Sequence, residues 1–137
     1  MKKILIALLL LSVNTVALAD LEDWTQPDQR LYKSYITLQT MDLLQAFAMI
    51  ECQQINPQCP YWERNPFISE RPKKAEVVMF KLGVNFLVYN MLDKKMKRHE
   101  RRGTLIALNF VSLYPVIHNN HIGLGFYIPI LPYKQFR

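Results

Sequence analysis

The residues of this chain best suited to acid–base work are the carboxylates Asp42 and Glu63 and the imidazole His121. Two carboxylates with an imidazole could divide general acid and general base roles, one group holding a proton while another accepts it. Asp42 is the most informative of the three because it interrupts an apolar stretch, where burial disfavours a charge that has no partner. Gln39 and Gln45 flank it at three residues on either side, on the same side of a helix. Lys81, Asn85 and Asn109 are the polar residues further along that could meet it. Asp42, Gln45, Lys81, Asn85 and Asn109 therefore form a candidate polar network, which either sets the register of packed helices or serves as a functional centre.

Other chemistry is thinly represented. His118 and His121 straddle Asn119-Asn120 at the end of an apolar segment, which supports neither a zinc pair nor a well-oriented base, so no metal and no cofactor are expected. H-E-x-x-H, G-x-S-x-G, a phosphate-binding glycine loop and C-x-x-C are all absent, which removes the common protease, hydrolase, nucleotide and redox signatures. Cys52 and Cys59 are spaced C-x6-C with no nearby histidine to complete a ligand set, so a disulfide is the expected use.

The elements that must position these residues can be read from periodicity. Apolar residues Leu31, Tyr35, Leu38, Leu44, Phe47 and Ile50 recur at helical spacing, predicting a helix from about Thr25 or Asp28 to about Cys52. Residues 53–74 hold Pro57, Pro60, Pro66 and Pro72 with Tyr61, Trp62 and Phe67, and read as an ordered loop. A second helix is predicted over Lys74–Lys97, with Val78, Leu82, Phe86 and Tyr89 on its apolar side. A third is predicted over Arg101–His118, kinked or ended early by Pro115. Beyond Asn120, two glycines and two prolines within an apolar run predict an irregular tail. The expected fold is all-α: a small bundle of about three helices, with a Pro-rich disulfide-bearing loop and an apolar C-terminal tail.

The start of the chain carries an address. Lys2 and Lys3 precede an apolar run from Ile4 to Leu11, and Ala17-Leu18-Ala19 offers a cleavage site, so residues 1–19 read as a secretory signal and 20–137 as one helical envelope domain. Loss of Lys2 and Lys3 lowers the net charge from +6 to +4. Most of the excess lies in Lys94, Lys95, Lys97, Arg98, Arg101 and Arg102, a stretch that either faces anionic lipid headgroups or forms a solvated linker; in an exported chain nucleic acid is not the expected partner. Segments 76–92 and 103–117 are apolar enough to raise membrane spanning, with the basic stretch inside and the cysteines outside. Both are slightly short, and Lys81 would sit mid-span, so a compact domain attached to the inner membrane is the preferred alternative.

Glu63-x-Asn65-Pro66, closed by Pro72, and the earlier Asp42-x-x-Gln45 resemble a family of small uncharacterised proteins of proteobacteria and their phages, with D-x-x-Q-T and E-x-N-P-x-x-G-x-x-P motifs. Asn119-x-x-Ile122-Gly123-x-Gly125 is similar to that family's ending. The chain departs from the pattern in having Ala46 in place of the threonine and no glycine in the loop. The resemblance implies an envelope protein of phage or prophage origin and brings no activity with it. Two function classes follow: a non-enzymatic exported protein contacting inner-membrane lipid or an envelope partner, and a small periplasmic enzyme with a polar centre at Asp42, Glu63 and His121. The second requires a solvent-accessible pocket joining those three residues.

Overall fold

The computed structural model describes residues 21–124 apart from positions 22, 62 and 64, so residues 1–19, read above as a signal, and the tail from residue 125 lie outside the described residues. The fold is all-α, with three helices among the described residues: α1 (Gln26–Ile55), α2 (Lys74–Lys94) and α3 (Arg98–His121). Each boundary has a local cause. Thr25 is extended ahead of α1, Pro27 occupies its first turn, and Asn56, held extended by Pro57, ends it while its N–H still reaches the Cys52 carbonyl. α2 starts directly after Pro72 and Lys73.

Several boundaries differ from expectation, α1 running to Ile55 rather than Cys52. α2 stops at Lys94 rather than Lys97, and α3 begins at Arg98 rather than Arg101, because the Glu100 carboxylate accepts the Lys97 N–H at 2.9 Å and caps the new helix. Pro115 neither ends nor shortens α3, which continues to His121. The stop comes at Gly123, whose φ of 84° turns the chain so that the N–H groups of Ile122, Gly123 and Leu124 meet carbonyls of the last turn.

α1 is the central element. It runs parallel to α3 and antiparallel to α2, since Asp28 meets Arg102 and Gln45 meets Val116, whereas Tyr35 meets Asn85 and Asp42 meets Lys81. α2 and α3 each pack on α1 and barely touch one another. Two apolar clusters result. One gathers Trp24, Tyr32, Tyr35, Ile36, Leu92 and Leu105 at the end near the basic turn, with Tyr89 stacked on Trp24 at 6.2 Å. The other gathers Leu43, Phe47, Met49, Ile50, Ile68, Val77 and Leu124 at the end where the Cys52–Cys59 disulfide closes the loop.

The outer surfaces of α2 and α3 invert the usual pattern. Met79, Phe86 and Leu87 on α2, and Ile106, Phe110, Val111, Tyr114 and Ile117 on α3, are exposed. Phe86, placed above on the apolar side of the second helix, therefore faces outward. α2 is the one described helix long and apolar enough to cross a membrane, yet only 11% of its most apolar 18-residue window is buried. A soluble core helix of that composition would be mostly covered. α1 does the opposite: after Gln26 and Pro27 at its start, the side chains it exposes in its first half are Arg30, Lys33, Ser34 and Thr37.

Candidate functional site

A polar layer lies between the two apolar clusters. On α1, Asp42 projects toward α2 and forms an ion pair with Lys81; both side chains retain about a fifth of their exposure. The same ammonium donates to Gln39 Oε1 at 3.0 Å, and the Gln39 amide donates to Ser112 Oγ of α3 at 2.8 Å. One turn further on, the fully buried Gln45 donates to the Val116 carbonyl at 3.1 Å and accepts from Asn119 at 3.3 Å. Lys81 is thus the cation that answers the charge of Asp42, and α1 contacts both neighbours through this layer.

The wider network expected from sequence divides into separate pieces. Asn85 accepts the Tyr35 hydroxyl at 2.9 Å, within the cluster near the basic turn. Asn109 donates to the Leu31 and Leu105 carbonyls at 2.9 and 2.8 Å. Neither joins Asp42, because the Asn85 oxygen and the Asn109 amide N–H groups are taken up at their own level of the bundle; the Asn109 Oδ1 is buried without a partner.

The motif loop folds back on the disulfide end of α1. Glu63 takes the Asn65 N–H on its carboxylate at 2.9 Å, and Asn65 takes the Phe67 N–H on its side chain at 3.0 Å, an Asx turn that sets the backbone around Pro66. Gln53 of α1 donates to the Tyr61 carbonyl at 2.9 Å, and Tyr61 donates to the Ile122 carbonyl at 3.2 Å, tying the loop to the end of α3. Pro72 is buried where the loop enters α2. Ser69 donates its N–H and hydroxyl to Glu76, which holds that carboxyl below its ordinary range.

Between this loop and the three helices opens a crevice of about 720 Å3, lined by Asp42, Glu63, Asn65, Lys81, His118 and Asn119 with Tyr61, Tyr114 and apolar side chains. Its size falls in the range of small-molecule sites. The crevice brings together Asp42 and Glu63, but the imidazole beside them is His118, stacked on Tyr114 at 5.8 Å, and not His121. His121 is exposed on the last turn of α3 and is absent from the lining. His121 sits on the stretch of α3 that continues past its expected end at His118. Among the described residues no group of three or more His, Cys, Asp or Glu side chains could hold a metal ion.

At the other end, the basic stretch divides. Lys94, Lys95, Lys97 and Arg98 are exposed, whereas Arg101 and Arg102 turn inward. The Arg101 guanidinium lies 4.4 Å from the Trp24 ring centre and donates to the Leu92 carbonyl at 2.9 Å. Arg102 donates to the Asp28 carboxylate at 2.9 Å and to Thr25 Oγ1 at 3.2 Å. Asp28 is fully buried; burial acts to raise its pKa, but Arg102 and Thr25 outweigh it and hold the carboxyl below its ordinary value. Trp24 donates its indole N–H to Asp93 at 2.9 Å, so the start of the described chain is fastened to the turn that carries the four outward cations. Two of the six basic residues assigned to lipid by sequence are therefore structural, because a buried acid and an aromatic face compete for them successfully.

Comparison with protein-family models, with curated proteins and with solved structures finds no match for this chain.

Proposed function

We propose that the chain is an exported envelope protein that acts at the inner membrane by contact, without catalysing a reaction. The observation that carries this reading is the exposed apolar surface of α2 and α3, which would be costly to leave in water over such a length. The export signal read in residues 1–19, the disulfide and the resemblance of the loop to envelope proteins support the compartment. Membrane flotation followed by a carbonate wash tests it. The wild-type chain should float with membranes, and the double substitution Phe86→Asp and Phe110→Asp, at two exposed sites, should shift most of it to the soluble periplasmic fraction. A wild-type chain recovered mainly as soluble protein would refute the reading.

A second reading, a periplasmic small-ligand or hydrolytic site, is favoured by the crevice joining Asp42, Glu63 and His118. It is separable from the first, because Glu63→Gln and His118→Ala should leave flotation unchanged while abolishing any ligand binding or turnover found there.

A further inference from the structure

We infer that the bundle lies flat in the periplasmic leaflet of the inner membrane, with the outer faces of α2 and α3 immersed and α1 facing the periplasm, and that no described helix crosses the bilayer. This rests on the export and membrane contact proposed above and adds an orientation to them.

The first argument is topological. Asp28 and Cys52 stand 24 residues apart on one unbroken helix, which at 1.5 Å per residue separates them by about 36 Å, more than the roughly 30 Å of a bilayer's hydrocarbon core. A spanning bundle would place them on opposite sides. Both ends nevertheless carry the marks of one side. Residues 21–24 directly follow the export signal, and Trp24 is bonded to Asp93 at the basic turn, so that turn emerges where the exported chain emerges. The opposite end carries the Cys52–Cys59 disulfide, which belongs to an oxidising compartment. A spanning arrangement with the basic turn in the cytoplasm would need the start of the mature chain there too.

The second argument is the lateral distribution of polarity. At the level where Phe86 and Phe110 are exposed, α1 exposes Lys33, Ser34 and Thr37. These lie opposite the Tyr32, Tyr35 and Ile36 side chains that face the other helices. A spanning bundle would hold Lys33 in hydrocarbon, whereas a flat one keeps it wet while the apolar side of α2 and α3 sinks by the half-diameter of a helix, the depth at which interfacial helices rest. From Gly103 to Ile117 α3 has no charged residue, and Lys81, the only one from Val77 to Leu92 on α2, turns inward to Asp42. Lys94, Lys95, Lys97 and Arg98 end this surface as an exposed cluster matched to anionic phospholipid headgroups.

The test uses the full chain with its disulfide, carrying one added cysteine at Glu70, Lys95, Lys33, Phe86 or Phe110, treated with a membrane-impermeant maleimide in spheroplasts. Glu70→Cys, Lys95→Cys and Lys33→Cys should all label fully. Phe86→Cys and Phe110→Cys should label at least tenfold more slowly until detergent is added. Labelling at only one of Glu70→Cys and Lys95→Cys would establish spanning and overturn the inference. Rapid labelling at Phe86→Cys and Phe110→Cys would overturn the immersion, and labelling at neither end would overturn export itself. Separation of the two membranes by density decides the leaflet: recovery with outer membrane would overturn that assignment.

Discussion

Replacing Arg102 with methionine should destabilise the bundle in a pH-dependent way. Asp28 is fully buried and receives the Arg102 guanidinium at 2.9 Å, so Arg102→Met keeps much of the packing volume while removing the counter-charge. Breaking a fully buried pair costs about 3–5 kcal/mol, and a hydrogen bond to a charged group is worth about 1.5–3 kcal/mol. The Arg102 side chain keeps 41% of its exposure, so solvent already screens the pair and the lower figures apply, about 2–3 kcal/mol. For a urea dependence of roughly 1–2 kcal/mol per molar, the midpoint falls by about 1–3 M. Trp24, in the same cluster, reports the transition by fluorescence in mild detergent.

The pH dependence separates the charge effect from packing. In the wild type the Asp28 pKa lies below its ordinary 3.8, so its contribution is complete above that value and is lost as pH falls through the lower, folded pKa. In Arg102→Met, burial acts on Asp28 without that guanidinium and raises its pKa, so acidification neutralises the stranded carboxylate. The gap between the two proteins should be widest near pH 7 and narrow toward pH 3. Asp28→Asn combined with Arg102→Met should cost less than the sum of the single changes by 1 kcal/mol or more. A gap that does not change with pH, or strictly additive single changes, would refute the argument.

Two further predictions follow from the other buried polar groups. Burial pushes the Tyr35 hydroxyl up to about 12 and Tyr32 also upward, so both are retained as neutral groups after the unfolded chain ionises near 10; stability should fall between pH 10 and 12, and Tyr35→Phe should remove part of that slope while costing about 1 kcal/mol at neutral pH through the lost bond to Asn85. Lys81→Met should cost about 2 kcal/mol by stranding Asp42 and Gln39, and adding Asp42→Leu should recover a large part of it, read as thermal midpoints in the same detergent.

The number and order of helices were legible because the apolar residues of each segment recur at 3.6-residue spacing and prolines mark the loop between the first two. Which side of each helix faces inward was not. α2 and α3 are apolar around most of their circumference, so periodicity cannot choose between Val77 and Phe86 as the packed residue, and the choice falls to the partner helix. The pairing of Asp42 with Lys81 could be foreseen from two charges isolated in apolar segments. The pairing of Asp28 with Arg102 could not, because Asp28 looks like an ordinary helix-start acid and Arg102 like one of six exposed cations. An acid in the first turn of α1, beside Trp24 and with no basic residue one turn later in its own helix, was the available signal. The Asp42 and Glu63 components of the crevice were named from sequence, whereas His118 was passed over for His121, the pair having been read as straddling a helix end near His118.

The placement of polar contacts makes physical sense if lipid lies against α2 and α3. In water, burial of apolar side chains between helices would drive them together, but a helix already surrounded by acyl chains gains little from exchanging lipid for another apolar face. What then selects one arrangement is hydrogen bonding and charge pairing across the seams. α1 makes such contacts at each level of the bundle: Asp28 with Arg102, Leu31 with Asn109, Tyr35 with Asn85, Gln39 with Ser112, Asp42 with Lys81, and Gln45 with Val116. α2 and α3 scarcely meet, joined at the basic turn by the Arg101 bond to the Leu92 carbonyl. The polar layer is therefore best understood as the device by which one helix holds two apolar neighbours in register, and the crevice at its disulfide end as the place where that layer reaches solvent.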